Sequence, residues 1–169
     1  MKLAVSNIAW TNDEEPEVAA LLQKLGVKYI EIAPTKKWED PTKATKDEIR
    51  QYVDFWKSYE IEIVAFQSML FSRPNLKIFE SSEDRLEAES YLKDFTRLAG
   101  DMGAGIMVFG SPKNRQRGEM PNVDAVNIAR PFFDAIGTAA ASHNVCFCIE
   151  PNATDYACDF VTTAQEGIN

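Results

Sequence analysis

The clearest candidate for chemistry in this sequence is Glu150, an acidic residue that directly follows the apolar run 145–149. It lies at the carboxyl end of a predicted strand, the edge of a parallel sheet where functional sites gather. Because side chains alternate along a strand, Cys146, Cys148 and Glu150 share one face. A carboxylate buried there needs a metal ion, a cation or a proton. The position therefore indicates a functional acid, and a strand-end acid that caps a loop is the alternative.

Polar side chains in or after three other predicted strands are candidates for binding a substrate. Glu31 lies inside an apolar strand, which favours an inward functional position over the alternative of a structural ion pair. Gln67 and Ser68 end the third strand and could hydrogen-bond to a polyol. Asn7 and Trp10 follow the first strand, where the indole could form an apolar wall for a sugar ring. Packing within the loops is the alternative for these four residues.

A basic loop follows the fourth predicted strand of this acidic protein. It contains Lys113, Arg115 and Arg117, and Gly110 at its start permits close approach of other groups. Cationic side chains together with backbone N–H groups suit a phosphate or a carboxylate. We therefore predict that Lys113 and Arg115 bind substrate. The loop lacks the ending of a Walker A motif, and a solvated basic loop is the alternative.

The single histidine and the three cysteines exclude several common mechanisms. His143 lies between a predicted helix and the last strand, opposite the long loops, which removes Ser-His-Asp and Cys-His catalysis. Cys146, Cys148 and Cys158 show no CxxC pair and no zinc spacing, and we expect Cys146 and Cys148 to pack in the core. The sequence shows no signal-peptide pattern. We therefore predict a cytoplasmic protein whose cysteines are reduced thiols.

The alternation of apolar runs indicates which elements must position these residues. The predicted strands cover 3–6, 29–32, 61–66, 106–109 and 145–149, and the predicted helices begin near 13, 45, 82 and 122. Each helix has one apolar face and the strands are apolar, which is typical of parallel strands covered by helices. Long connections follow the strands at 33–44, 67–81 and 110–121. A site is therefore expected at the carboxyl ends of the strands.

The length and the net charge of the chain limit its possible fold classes and binding partners. The chain has 169 residues and a net charge of −8, which disfavours nucleic acid as a partner. No apolar run approaches the ~20 residues that span a bilayer, so we expect no membrane association. A complete (β/α)8 barrel typically takes ~250 residues. We therefore predict one α/β domain over 1–169, a partial (β/α)8 TIM barrel with about five parallel strands, four helices and the start of a fifth helix at Thr163.

Four segments carry a resemblance to a known family: 3–10 (LAVSNIAW), 26–34 (GVKYIEIAP), 108–115 (VFGSPKNR) and 148–152 (CIEPN). With them the chain resembles the xylose-isomerase-like barrel superfamily. That group includes sugar-phosphate isomerases and epimerases, ketose 3-epimerases and endonuclease-IV-type enzymes. The resemblance runs along the whole chain. The last group carries histidines after the third and fourth strands, where this chain has Gln67-Ser68 and Gly110, which argues against the DNA-repair branch.

The resemblance implies roles for particular residues. Glu150 matches an acid that binds a divalent metal ion (Mn, Mg, Co or Zn) and takes part in proton transfer next to a sugar carbonyl. Asn152, in the same segment, is assigned to substrate binding. The implied ligand is a small sugar or sugar phosphate. The other metal ligands are expected from strands six to eight, which we expect this chain to lack, so metal binding by this chain alone should be weak or absent.

Two other functions compete with a sugar isomerase or epimerase. The chain could be a non-catalytic fragment or scaffold that self-associates as a homo-oligomer to cover an open sheet edge. It could also be a complete flavodoxin-like domain that binds its ligand where the strand order reverses. The spatial order of the strands separates these possibilities. Order 1-2-3-4-5 supports the partial barrel, and order 2-1-3-4-5 would exclude it.

Overall fold

Five parallel strands form the sheet of the computed structural model, which describes residues 3–168. They are β1 (Ala4–Ser6), β2 (Tyr29–Ile32), β3 (Glu62–Phe66), β4 (Ile106–Phe109) and β5 (Cys146–Ile149). Their spatial order is that of the chain, β1-β2-β3-β4-β5. This order confirms the partial barrel. The alternative of a flavodoxin-like domain is wrong, because its first strand would lie inside the sheet.

The helices follow the predicted alternation with the strands. They are α1 (Glu15–Lys24), α2 (Pro34–Lys37), α3 (Lys46–Ser58), α4 (Ser82–Met102), α5 (Asn122–Ser142) and α6 (Ala164–Ile168). The four long helices were predicted, and α6 begins after Thr163, whose hydroxyl accepts a hydrogen bond from the Glu166 N–H at 3.2 Å. The single turn α2 was not predicted, because one turn shows no apolar period. No helix in the described part of the chain has the length and apolar composition needed to cross a membrane.

The two faces of the sheet differ, as side-chain alternation predicts. One face packs beneath the helices and buries Ile30, Ile32, Ile63, Met107 and Phe109. The opposite, concave face carries smaller or polar side chains, including the half-buried Glu31, Val108 and Cys148. Cys146 on this face is exposed, so the prediction that it packs in the core is wrong. It is exposed because β5 is an edge strand of the sheet.

The two ends of the sheet also differ, and this difference locates the site. The turns that lead into the strands are short, and Gly26 supports one of them with a left-handed backbone at φ 72°. The connections that leave the strands cover 33–45, 67–81, 110–121 and 150–163. The long loops therefore gather at the carboxyl ends of the strands, as predicted, where TIM barrels place their sites.

A buried acid ties the first helices together beneath these loops. Glu15 is only 5% exposed, and its carboxylate accepts a hydrogen bond of 2.7 Å from the Tyr52 hydroxyl. Lys37 adds an ion pair at 3.2 Å. Burial and the Glu15 charge raise the pKa of Tyr52, so the hydroxyl keeps its proton and remains a donor. This network joins α1, α2 and α3, which support the loops after β1 and β2.

Replacing Tyr52 by Phe tests the importance of this network. The change leaves the Glu15 carboxylate without its neutral donor, and hydrogen bonds to charged groups contribute about 1.5–3 kcal/mol. We expect the free energy of unfolding in urea to fall by about that amount. Tyr59→Phe is the matched control, because its ring packs against Phe55; its effect should stay within about 0.5 kcal/mol. Equal losses in the two variants would contradict the role of the network.

Candidate functional site

Asn7 and Trp10, two of the predicted substrate-binding residues, lie in the packed base of the site. Asn7 is 2% exposed, and its side-chain oxygen accepts a hydrogen bond of 2.8 Å from the Ala33 N–H. Trp10 is buried, and its ring centre lies 6.0 Å from that of Trp56. These contacts connect the loop after β1 to β2 and to α3. Contact of either residue with a substrate stays a prediction.

Three polar side chains form a cluster on the concave face near the ends of β1, β2 and β3. The Gln67 side-chain amide donates to the Glu31 carboxylate at 2.7 Å and also to the Ser6 hydroxyl. Ser6 and Glu31 are direct partners in the register of β1 and β2. The structure thus brings together Glu31 and Gln67, which the sequence predicted. Ser6 was missed, although its place at the end of β1 was a usable signal.

Glu31 and Glu150 lie close enough for their charges to interact. Burial raises the pKa of Glu31 above its ordinary value, and the negative charge of Glu150 raises it further. Glu31 is on β2 and Glu150 follows β5, so the two acids come from strands that are not neighbours in the sheet. Burial and the neighbouring negative charge both favour the protonated form of Glu31.

A buried arginine holds the second acid in place. Arg115 is completely buried, and its Nη2 donates to the Glu150 carbonyl oxygen at 2.6 Å and to the Asn152 side-chain oxygen at 2.8 Å. The Asn152 amide then donates to the Glu150 carboxylate at 3.1 Å. Burial lowers the pKa of Arg115 from its ordinary value. Arg115 therefore lies inside the fold, and the alternative of a solvated basic loop is wrong for this residue.

Gly110 leaves the space that the Glu150 carboxylate occupies. A Cβ atom at Gly110 would lie 2.6 Å from Glu150 Oε2 and 3.4 Å from the Asn152 side-chain oxygen. Carbon and oxygen atoms at 2.6 Å overlap, so any other residue at this position would displace the carboxylate. The absence of a side chain at the end of β4 thus fixes where the acid after β5 can lie.

The remaining predicted site residues belong to a neighbouring cleft. Ser68 and Lys113 both line a separate cleft between the loops after β3, β4 and β5. Phe71 and Tyr156 line it as well, and the sequence analysis missed both. A signal was available, because an aromatic residue in a polar loop after a strand often faces a ligand.

The described residues supply only part of a metal site. Within residues 3–168, no group of three or more His, Cys, Asp or Glu side chains lies close enough to hold a metal ion. Glu150 offers one exposed carboxylate, whereas the Asn152 oxygen already accepts from Arg115. Magnesium or manganese needs about six oxygen ligands and zinc about four ligands. These residues alone do not fit a complete metal centre.

Gly110→Ala tests whether space at this position sets the place of the Glu150 carboxylate. The new methyl group should displace the carboxylate and break its hydrogen bond with Asn152. We expect the Asn152 side-chain amide signal in an NMR spectrum to move, while the free energy of unfolding changes by less than about 1 kcal/mol. Gly105→Ala is the control, because nothing lies within 4 Å of its added Cβ. An unmoved Asn152 signal in Gly110→Ala would contradict the steric account.

Comparison with known proteins shows which family and which solved structures share this architecture. The family model described as "Xylose isomerase-like TIM barrel" matches residues 19–168. Curated proteins gave no match to the chain. Among solved structures, D-psicose 3-epimerase from Clostridium cellulolyticum H10, determined with D-tagatose, superposes with a TM-score of 0.76 at 13% identity, over 99% of this chain and 58% of that one.

Two further structures have the same fold. An L-ribulose 3-epimerase gives a TM-score of 0.76 at 15% identity, over 99% of this chain and 55% of its own. The IOLI protein with a binding zinc atom gives 0.64 at 14% identity, over 88% of this chain and 51% of its own. The chain thus spans little more than half the length of these proteins. The family model matches most of the sequence, and the chain belongs to the xylose isomerase-like TIM barrel family.

Proposed function

We propose that this chain forms the sugar-binding and proton-transferring part of a sugar isomerase or epimerase. The observation that carries the proposal is the pair Glu31 and Glu150 on the concave face, where the charge of one raises the pKa of the other. Two of the solved structures described above are named as sugar 3-epimerases. Together, the acid pair and the fold support chemistry at a carbon next to a sugar carbonyl.

The two acids suit different halves of a proton transfer. Removing a proton from the carbon beside a carbonyl leaves an enediolate, and returning a proton to a carbon of that enediolate completes an isomerisation or epimerisation. We assign Glu150 as the base that accepts the carbon-bound proton. Glu31, whose pKa is raised, is assigned to hold a proton and donate a hydrogen bond to a substrate oxygen. Gln67 keeps Glu31 in place through its 2.7 Å hydrogen bond.

Arg115 and Asn152 act in this proposal as positioning residues for Glu150. Arg115 binds the backbone oxygen of Glu150, and Asn152 binds its carboxylate. The two contacts restrict the orientation of the strand-end acid, while its carboxylate stays exposed to solvent. The basic residue that sequence reasoning assigned to a substrate anion therefore has a second candidate role, in which it orients the proposed base.

The family resemblance also implies a divalent metal ion, and one relative is described with a bound zinc atom. We propose Glu150 as the ligand that this chain contributes to an ion such as Mn²⁺, Mg²⁺, Co²⁺ or Zn²⁺. Because fewer than three candidate ligands lie together among the described residues, no step of the proposed reaction is routed through the metal.

Exchange of carbon-bound hydrogen tests the proposed proton transfer directly. The chain is incubated with D-fructose in D₂O, and NMR follows deuterium entering the carbons next to the carbonyl. We expect wild-type exchange to exceed the background, and both Glu150→Gln and Glu31→Gln to reduce it at least about tenfold. Glu62→Gln is the control, because Glu62 is an exposed acid at the opposite end of β3. Exchange that survives Glu150→Gln would contradict the assignment of the base.

Metal binding by the chain is expected to be weak. Calorimetric titration with Mn²⁺ should give little or no heat. Among the described residues, no more than two candidate ligands lie together, and Glu150 is the exposed carboxylate of the site. Glu150→Ala should remove whatever binding is seen. Tight binding of one Mn²⁺ per chain that the substitution abolishes would show that a complete site exists and would contradict this expectation.

A further inference from the structure

A cleft beside the two acids has the features of a ligand-binding site. The proposed proton transfer does not use this cleft. We call it the loop cleft; it has a volume of about 550 Å³ and lies between the loops after β3, β4 and β5. That volume is within the range of roughly 300–1,000 Å³ of small-molecule sites. The lining residues used below are Ser68, Phe71, Ser111, Lys113, Asp155 and Tyr156.

Two aromatic side chains in the loop cleft are exposed to solvent. Phe71 is 85% exposed and Tyr156 is 70% exposed. Exposed apolar rings that lie together in a concave surface are typical of ligand-binding grooves. The flat, apolar face of such a ring suits the C–H face of a sugar ring, while the Tyr156 hydroxyl can bind a sugar hydroxyl. The rings therefore favour a carbohydrate over a small anion.

The backbone of the loop cleft is held in uncommon conformations. Ser68, Ser111 and Ala157 line the cleft, and all three have left-handed backbones, at φ 54°, 42° and 59°. For residues other than glycine this conformation costs about 1–2 kcal/mol, and such residues cluster at binding sites. One residue from each of the three loops is held this way. The two serines are therefore held at fixed places in the cleft lining.

The charges of the loop cleft do not suit a phosphate group. Of the described residues that line it, Lys113 is a cation and Asp155 is an anion. Arg115, the second cation predicted for an anionic substrate, is completely buried against Glu150 and Asn152. Lys77 donates to the Lys113 carbonyl oxygen and pairs with Glu80. A phosphate carries close to two negative charges, and one lysine beside an acid gives the loop cleft little net positive charge to bind it.

The loop cleft adjoins the proposed reaction site. Ser68 follows Gln67, which binds Glu31, and Ser111 follows Gly110, which lies against the Glu150 carboxylate. A ligand that places one end between the two acids can therefore extend its other end into the loop cleft. The reacting end and the distal end would then be bound by separate groups of residues.

We propose that the loop cleft binds the second, non-reacting ring of a neutral glycoside, and that the substrate is a glycoside instead of a sugar phosphate. Phe71 and Tyr156 bind the faces of that ring, and Ser68, Ser111, Lys113 and Asp155 bind its hydroxyl groups. This inference rests on the proposed function, because it takes the reacting sugar to lie at Glu31 and Glu150. It adds to that function a substrate class and the residues that select it.

Calorimetric titration of the full chain tests the proposal without requiring turnover. The probes are three neutral disaccharides (maltose, cellobiose and sucrose), D-fructose and D-fructose 6-phosphate. We expect the best disaccharide to bind at least about tenfold more tightly than D-fructose, and the phosphate to give no gain over D-fructose. Phe71→Ala and Tyr156→Ala should each weaken disaccharide binding roughly three- to tenfold. Neither should unfold the chain, because both side chains are exposed.

Leu86→Ala is the matched control, since Leu86 is an apolar side chain of α4, 65% exposed, that does not line the loop cleft; it should leave binding unchanged. Tighter binding of fructose 6-phosphate that Lys113→Ala removes would overturn the proposal, and so would the absence of disaccharide binding. Disaccharide binding by a chain whose deuterium exchange on D-fructose survives Glu150→Gln would support the loop cleft and contradict the assignment of the base. The two proposals therefore fail separately.

Discussion

A half-buried carboxyl group with a second acid near it is the constraint around which this site is organised. Glu31 and Glu150 interact across the concave face, and the charge of Glu150 adds to the effect of burial on the pKa of Glu31. Like charges in a partly buried place are unfavourable unless a proton, a cation or hydrogen-bond donors offset them. Gln67 provides a donor to one acid and Asn152 to the other. The surrounding residues therefore supply a hydrogen-bond donor to each of the two acids.

The burial of Arg115 is a cost of this arrangement. Its guanidinium is completely buried, and burial lowers its pKa because the charged form is less stable away from water. Burying a charged group is unfavourable unless hydrogen bonds compensate, and Nη2 of Arg115 offsets part of this cost by binding the Glu150 backbone and the Asn152 side chain. Gly110 contributes by leaving space for the carboxylate. Stability given up beside a strand-end acid is typical of a site that positions a functional group.

The fold could be predicted from the alternation of apolar runs, whereas the contacts inside the loops could not be predicted. The parallel strands, the long helices and the inward position of Glu31 follow from periodicities of 2 and 3.6 residues, which depend on local sequence. Arg115 and Asn7 were predicted to meet a substrate, yet each is buried against a backbone group far along the chain. These contacts depend on the conformation of the loops. Loop sequences have no periodic pattern from which that conformation can be predicted. Cys146 was misjudged because its burial depends on what covers β5.

Titration of the Glu31 carboxyl carbon by NMR tests the electrostatic coupling of the two acids most directly. The wild-type chain and Glu150→Gln are compared at low ionic strength and in the presence of a chelator. We expect Glu31 to titrate above its ordinary value of 4.5 in the wild type. In Glu150→Gln its pKa should fall while staying above 4.5, because burial remains and only the neighbouring charge is lost. An identical Glu31 pKa in both proteins, or one at or below 4.5 in the wild type, would contradict the account.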